Sequence, residues 1–511
     1  MAIEKFRVVI GCEIHCQLTT KTKAFCACEN RYGGIPNTRV CPVCLGLPGA
    51  MPRVSKGYVE MGAIAGKALH CDIAHFTKFD RKHYFYPDLA KGYQITQYDI
   101  PLCTNGYIDI PYRHLSEESL KGGKYYYDKT FEGKNSVIDN KYKRIRVERI
   151  HLEEDVGKSL HLEGKHSYID YNRCGTPLIE IVTKPDMNSP EEAALFMQSA
   201  QEILRYVNVT NGNLEEGNMR CDANINLTVW EDGKEYHTPI SEIKNLNSFR
   251  AIKDACSYEI TRQLKEFEED RQEFSPYFKN TMNWDEVSGT TNIMRTKDSL
   301  LDYRFVVEPD IKPFTVSDEF IQKAADQVGE LPEPKRERFK KEYNLSDFDA
   351  ETLTSTRALA LWFEQTAAKS KNVKKAANWI LAELLGVLNA KNQTIEEIDL
   401  TPDHIAELVN AVEDGTISGK QAKEVFAQMV ETNEMPSVII KEKGMEQVTD
   451  TGAIESVVNE VITENPQAVK DFKGGKTHVV GWMMGQVMKK SHGKANPKLA
   501  TELIQKKLKE L

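Results

Sequence analysis

The sequence predicts an α+β protein: a mixed α/β N-terminal part followed by an all-helical remainder. Three observations carry this. Residues 10–18 and 219–229 alternate apolar and polar side chains with the period of a half-buried strand, signals of that kind fade beyond about residue 315, and segments 355–390 and 402–432 then show helical periodicity. A chain of 511 residues, 40% hydrophobic and 28% charged, has a globular composition and room for about three domains. The expected bounds are 1–293, 294–403 and 404–511.

In the first strand Ile10, Cys12, Ile14, Cys16 and Leu18 share one face, and Glu13, His15 and Gln17 the other. Next come Cys26-Ala-Cys28 and Cys41-Pro-Val-Cys44, separated by twelve residues that include Gly33, Gly34, Pro36 and Asn37. That spacing lets a loop return and place four thiolates around one tetrahedral Zn2+ ion, with no coordination position left for substrate. Four ordinary buried thiols are the alternative. The stretch from Phe79 to Asp88 sets Arg81, Lys82 and His83 among aromatic residues, with Lys91 following. Fixed cations there suit phosphoryl transfer, and an aromatic core corner with solvated charges is the competing reading. Glu153-Glu154-Asp155 closes a basic, strand-like run at 143–149.

Ser189-Pro190-Glu191-Glu192 opens a helix through about Tyr206, with serine as cap and proline in the first turn. After Glu215-Glu216-Gly217, the second clean strand puts Met219, Cys221, Ala223, Ile225, Leu227 and Val229 inward and Arg220, Asp222 and Asn224 outward. The acidic groups, one histidine and one amide make an oxygen-rich set suited to magnesium and a triphosphate. Converging like charges call for a cation, unless the groups face solvent on separate sides of the domain.

Other signals set limits. Gly157-Lys158-Ser159 and Gly475-Lys476-Thr477 imitate the end of a phosphate-binding loop, but Leu152 and Lys470 stand where its first glycine belongs. No G-x-S-x-G elbow or amidase-type serine loop is present, so if the activity involves hydrolysing an amide, another chain must do it. No apolar run approaches the roughly 20 residues of a membrane span, and the N-terminus resembles neither a signal nor a transit peptide. Most of the eleven cysteines are scattered singly, which points to a reducing cytoplasm. Residues 470–511 carry ten lysines against three acids, a net +7, so the rest of this −9 chain carries −16. A basic end on an acidic body suggests nucleic-acid contact, with a solvated lysine-rich helix as the alternative.

In this order the motifs resemble the B subunits of bacterial tRNA-dependent amidotransferases. The carrying segments include Gly11-Cys-Glu-Ile-His15, Cys41-Pro-Val-Cys-Leu-Gly-Leu-Pro-Gly49, Phe79-Asp-Arg-Lys82, Gln97-Tyr-Asp99, His151-Leu-Glu-Glu-Asp155 and Gly175-Thr-Pro-Leu178. Glu215-Glu-Gly217, Glu242-Ile-Lys-Asn-Leu-Asn-Ser-Phe249, Gly485-Gln-Val-Met-Lys489 and Gly493-Lys-Ala-Asn-Pro497 extend the match along essentially the whole chain. The resemblance implies an N-terminal cradle related to glutamine synthetase and guanidino kinases, then a helical domain and a tRNA-touching helical tail.

It further implies that ATP and Mg2+ are used to phosphorylate the side-chain carboxylate of Glu-tRNA(Gln) or Asp-tRNA(Asn). Ammonia then arrives through a polar tunnel from an amidase-type A subunit, while a small C subunit completes a cytoplasmic heterotrimer. By motif position, the expected Mg2+ ligands are Glu13, His15, Glu154 and Glu216, with Asp222 and Asn224 beside the metal or nucleotide. Lys82, Lys91, Thr176 and Asp186 are the expected transfer or tunnel residues, and Lys489, Lys490 and Lys494 the expected tRNA contacts.

Overall fold

The alternation at Ile10–Leu18 becomes the strand Lys5–Gln17 in the computed structural model, which describes residues 5–111, 114–115, 137–138, 142–161, 166–275, 278–298, 303–445, 451–491 and 495–510. This strand lies between Pro177–Thr183 and Met219–Glu231, antiparallel to both. Outward from Pro177–Thr183 the sheet continues through Tyr142–Glu154, Cys103–Pro111 and Asp72–Ile73. On the other side it continues through Ile240–Leu246, Phe278–Asp285 and Thr290–Asp298, with the first two of these paired in parallel.

Ile10, Cys12, Ile14 and Cys16 are buried on one face of this sheet. They share a hydrophobic core with residues of the helices Lys56–Ala68, Pro190–Tyr206 and Phe249–Asp270. The Pro190 helix starts where the sequence predicts, with Ser189 Oγ accepting the Glu192 N–H at 3.2 Å. With the helices on that side, Glu13, His15, Glu180, Asp222 and Asn224 emerge on the other face.

Register decides who meets whom there. His15 stands opposite Glu180 and Arg220, Glu13 opposite Asp222, Glu180 opposite His151, and Asn224 opposite Glu242. A slip of one residue would send this charged set into the core, so the apolar face fixes the register of the polar one. A small sheet of Asp80–His83, Tyr93–Thr96 and Arg304–Val307 brings Lys82 and its aromatic neighbours to the same side.

The chain divides into two compact units, Met1–Leu331 and Pro332–Leu511. The expected boundary at 293/294 falls inside the strand Thr290–Asp298, and the first unit continues past it. The boundary expected at 403/404 falls inside the helix Pro402–Glu413. Ile405, Leu408 and Val409 of that helix share one core with Phe339, Phe363 and Ile380. A separate core, from Ile454 to Leu508, gathers the last helices.

The long helical segments are also punctuated. Segment 355–390 breaks at Ser370–Asn372, where Asn372 Oδ1 caps Lys375 N–H at 3.1 Å. Segment 402–432 breaks around Gly415, whose φ of +72° suits glycine, and Ser418 caps the next helix. Among the described residues no helix is long and apolar enough to cross a membrane.

Candidate functional site

The polar face of the large sheet carries two acidic clusters side by side, joined through the strand that bears both Glu13 and His15. In one, donor atoms of His15, Glu153 and Glu180 lie within 4.8 Å of one another. His151 Nε2 approaches Glu180 Oε2 at 3.0 Å and Glu153 Oε2 at 3.6 Å. In the other, carboxylate oxygens of Glu13, Asp222 and Glu242 meet the same limit. Lysines partly balance this second cluster: Lys244 reaches Asp222 at 2.6 Å and Glu242 at 3.0 Å, while Lys279 stands 3.5 Å from Glu242. Asn224 Nδ2 donates to Glu13 at 2.9 Å.

Burial and charge pull against each other here. Burial disfavours the imidazolium of His151, yet Glu180 and Glu153 outweigh it and raise its pKa to about 9. Burial likewise works against the His15 imidazolium, and Glu180 chiefly overcomes it, so that pKa is raised too. Burial also works against the Glu180 carboxylate, but the two imidazoles hold its pKa well below the ordinary range. Lys82 adds a cation facing the cluster: its burial is outweighed by Glu153, Glu180 and other acids, and its pKa is raised. His151, Glu153, Glu180 and Lys82 line a cavity of about 530 Å³ whose walls include Tyr98, Arg149, Tyr303 and Phe305.

The two clusters differ in their fit to magnesium. The second, all carboxylate, is the hard oxygen set that Mg2+ takes, whereas the first mixes in imidazole. The buried His151 Nδ1 and Asn224 Oδ1 have no hydrogen-bond partner among the described residues, which leaves polar capacity for a ligand. Of the expected magnesium ligands, then, Glu13 and His15 lie on this face with Asp222 and Asn224. Glu154 and Glu216 are not brought to them.

Adjacent strand residues point to opposite faces, so Glu153 joins His15 while Glu154 turns away. Glu154 is bonded to Lys91 and accepts the Ile95 N–H at 2.9 Å. Burial raises its pKa more than Lys91 lowers it. Glu216 sits exposed in the turn before Met219.

The Lys91–Glu154 pair abuts the cysteine loops. Gly46, at φ +67°, follows the Cys41–Cys44 turn, and a Cβ there would meet Lys91 Cγ at 2.6 Å. All four expected cysteines, Cys26, Cys28, Cys41 and Cys44, have sulfurs within 4.8 Å of one another, and Cys41 and Cys44 are 3.8 Å apart. A tetrahedron with Zn–S bonds of about 2.3 Å has edges of about 3.8 Å, so the set fits that ion. A hydrogen bond from the Cys26 thiol, with smaller help from the Cys41 N–H and Lys23, lowers the Cys44 pKa to about 5. Asn37 and Asn172 tie the intervening loop to residues 169–172, with Asn172 Nδ2 donating to Ile35 O at 2.7 Å.

The remaining expected residues have other surroundings. Thr176 is buried beside Asp155, whose N–H donates to its carbonyl at 2.8 Å. Asp186 is held by the Arg146 guanidinium at 2.6 and 2.8 Å. Lys489 is exposed at the end of the helix Val479–Lys490, and Lys490 pairs with Glu464 at 2.6 Å and Glu460 at 3.0 Å. Lys494 lies outside the described residues. Sequence reasoning assigned no role to Glu180, His151 or Glu242. Glu180 had a signal: it is a lone charge inside the apolar run Leu178-Ile-Glu-Ile-Val182.

Comparison with known proteins adds the family. Residues 8–322 match the model of the GatB/GatE catalytic domain, and residues 361–508 that of the GatB domain. The chain is 59% identical to the B subunit of the Treponema denticola aspartyl/glutamyl-tRNA(Asn/Gln) amidotransferase, over 99% of each chain. It is 52% identical to the B subunit of the Treponema pallidum enzyme of the same name, over 99% of this chain and 95% of the other. The corresponding Borrelia turicatae protein is 44% identical over 99% of this chain and 100% of its own.

Proposed function

The chain belongs to the GatB family, and on that footing we propose that it is the B subunit of an aspartyl/glutamyl-tRNA(Asn/Gln) amidotransferase, the ATP-dependent ligase half of the enzyme. Its substrates are ATP and a misacylated Glu-tRNA(Gln) or Asp-tRNA(Asn), and its partners are an amidase-type A subunit and a small C subunit. The observation that carries the reading is the polar sheet face, where two acidic clusters and the half-buried Lys82 share one side. A scaffold that only bound tRNA would gain nothing from so many buried charges.

Glu13, Asp222 and Glu242, with His15, Glu153 and Glu180 alongside, are the groups to hold magnesium. When bound, that ion offsets phosphate charge as the nucleotide meets an anionic carboxylate. The side-chain carboxylate of the aminoacyl group attacks the γ-phosphorus and ADP departs, leaving an acyl phosphate. Ammonia then attacks the acyl carbon and phosphate leaves with the C–O electrons. Lys82 stabilises negative charge on the transferring phosphoryl group. The imidazoles of His15 and His151 both approach Glu180, at 3.5 and 3.0 Å, and orient that carboxylate.

Lys91, Glu154 and Thr176 line the proposed ammonia route, where water must be kept from the acyl phosphate. Asp186 acts through Arg146, by bonding the strand that carries His151 and Glu153 at that residue's backbone and side chain. The four cysteines hold structural Zn2+. The three expected parts then divide the work: the cradle performs the chemistry, the middle helical part supports it, and the tail with Lys489, Lys490 and Lys494 meets tRNA. A cytoplasmic location follows from the substrates. Reconstitution with A and C subunits tests the proposal: Gln-tRNA(Gln) or Asn-tRNA(Asn), ADP and phosphate should form in equal amounts. Glutamine hydrolysis without ATP-dependent amide formation on either tRNA would refute it.

A further inference from the structure

The cavity above the His15 cluster has one wall of a different kind. Tyr98 stacks on Phe305 with ring centroids 4.3 Å apart and planes 15° from parallel. Tyr303 packs edge-on to Phe305 at 6.3 Å, and the Lys82 ammonium lies 4.8 Å from the Tyr303 ring. A continuous aromatic path thus leads from exposed Tyr98 to the half-buried Lys82, both in the cavity lining.

Tyr98 remains 60% exposed although its backbone is firmly held. Its N–H donates to Asp80 at 3.0 Å, and Asp80 is anchored by Lys78 at 2.6 Å. Burial therefore does not account for a large ring fixed at this rim. The neighbouring polar groups are already occupied: Gln97 accepts from Leu102 and Leu152 at 3.0 Å each and donates to Thr77 at 2.6 Å, while Thr96 donates to Glu153 at 2.8 Å. What the wall offers a ligand is a ring face.

We infer that Tyr98, backed by Phe305, is a stacking platform for an adenine base whose phosphate or acyl end reaches Lys82 and the His15–Glu153–Glu180 cluster. A cavity of about 530 Å³ has room for a nucleoside-sized ligand. The inference rests on the proposed function, in which both base-bearing substrates present adenosine: ATP, and the 3′-terminal adenosine of the aminoacyl-tRNA. Stacking tolerates any base, so this wall supplies affinity and placement, with little discrimination between purines.

The test uses the heterotrimer carrying Tyr98→Leu, Tyr98→Phe or Phe305→Leu, with equilibrium binding of ATP and of Glu-tRNA(Gln) and amidation kinetics as readouts. Tyr98→Leu should weaken one of the two ligands by about 10- to 100-fold, Phe305→Leu should weaken the same ligand less, and Tyr98→Phe should stay within about two-fold of wild type. Loss confined to ATP assigns the platform to the nucleotide, and loss confined to the aminoacyl-tRNA assigns it to the 3′ adenosine. Unchanged affinity for both ligands in both leucine variants overturns the inference. So does an equal loss of both ligands that Tyr98→Phe shares, since that marks a structural role. If the wild-type complex binds ATP without amidating tRNA, the proposed function fails while the binding data still decide the platform.

Discussion

Glu154→Gln and Lys91→Met, made singly and together, separate charge from packing at the junction of the large sheet and the cysteine loops. The Lys91 and Glu154 side chains are only 8% and 3% exposed. Glu154 is buried strongly enough that its pKa is raised even with the Lys91 ammonium bonded to it. Desolvation therefore outweighs attraction for the carboxylate, and the pair adds little net stability. Each single change leaves one buried charge without its partner, which costs about 3 kcal/mol or more. The double variant leaves none and should return to within about 1 kcal/mol of wild type, a coupling of several kcal/mol in a double-mutant cycle. The assay is urea unfolding of the isolated chain followed by a probe in the first unit, where each single variant should lower the midpoint by about 1 M. Additive losses, with the double variant the least stable of the three, would refute the reasoning.

Purified protein should contain one zinc per chain, and Cys44→Ser should lose it; metal analysis without stoichiometric zinc in chelator-free wild type would contradict the site. In that variant the helices of residues 332–511 should keep their unfolding transition, because all four sulfurs lie in the first unit. Asp155 is 3% exposed, and Arg173 and Arg220 hold its pKa below the ordinary value against the effect of burial. A lowered folded-state pKa stabilises the fold above the unfolded value of about 3.9 and is lost as pH falls through the folded one. Asp155→Asn should therefore be less stable at neutral pH and show a flatter loss of stability below about pH 4; a parallel acid profile would contradict this. Lys489→Glu should weaken aminoacyl-tRNA binding and flatten its salt dependence, whereas Lys490→Glu should do so less because Glu460 and Glu464 already engage that lysine.

Much of this was legible in residue patterns. Period-two alternation identified both central strands and their polar faces, because a half-buried strand can satisfy its core in only one register. The cysteine spacing identified a closed sulfur set. What the patterns left open was which of two adjacent carboxylates faces the site. Glu153 and Glu154 are equivalent as letters, and their separation depends on strand pairing with Leu178 and Pro177. Glu180 and Glu242 belong to strands whose burial depends on neighbours distant in sequence. Domain limits were hard for a related reason: helical periodicity continues across residue 403 while the core that those helices share extends from Phe339 to Ile440.

The central claim is that the sheet face around Glu180 performs the ATP-dependent step. It is tested most directly in the heterotrimer carrying Glu180→Gln, assayed in parallel for glutamine hydrolysis and for amidation of Glu-tRNA(Gln). Glu180 is 8% exposed and receives both imidazoles, so its loss disarms the cluster without touching the partner's amidase chemistry. Amidation should fall by about 100-fold or more while glutamine hydrolysis persists. Amidation within a few-fold of wild type would place the chemistry elsewhere and contradict the account.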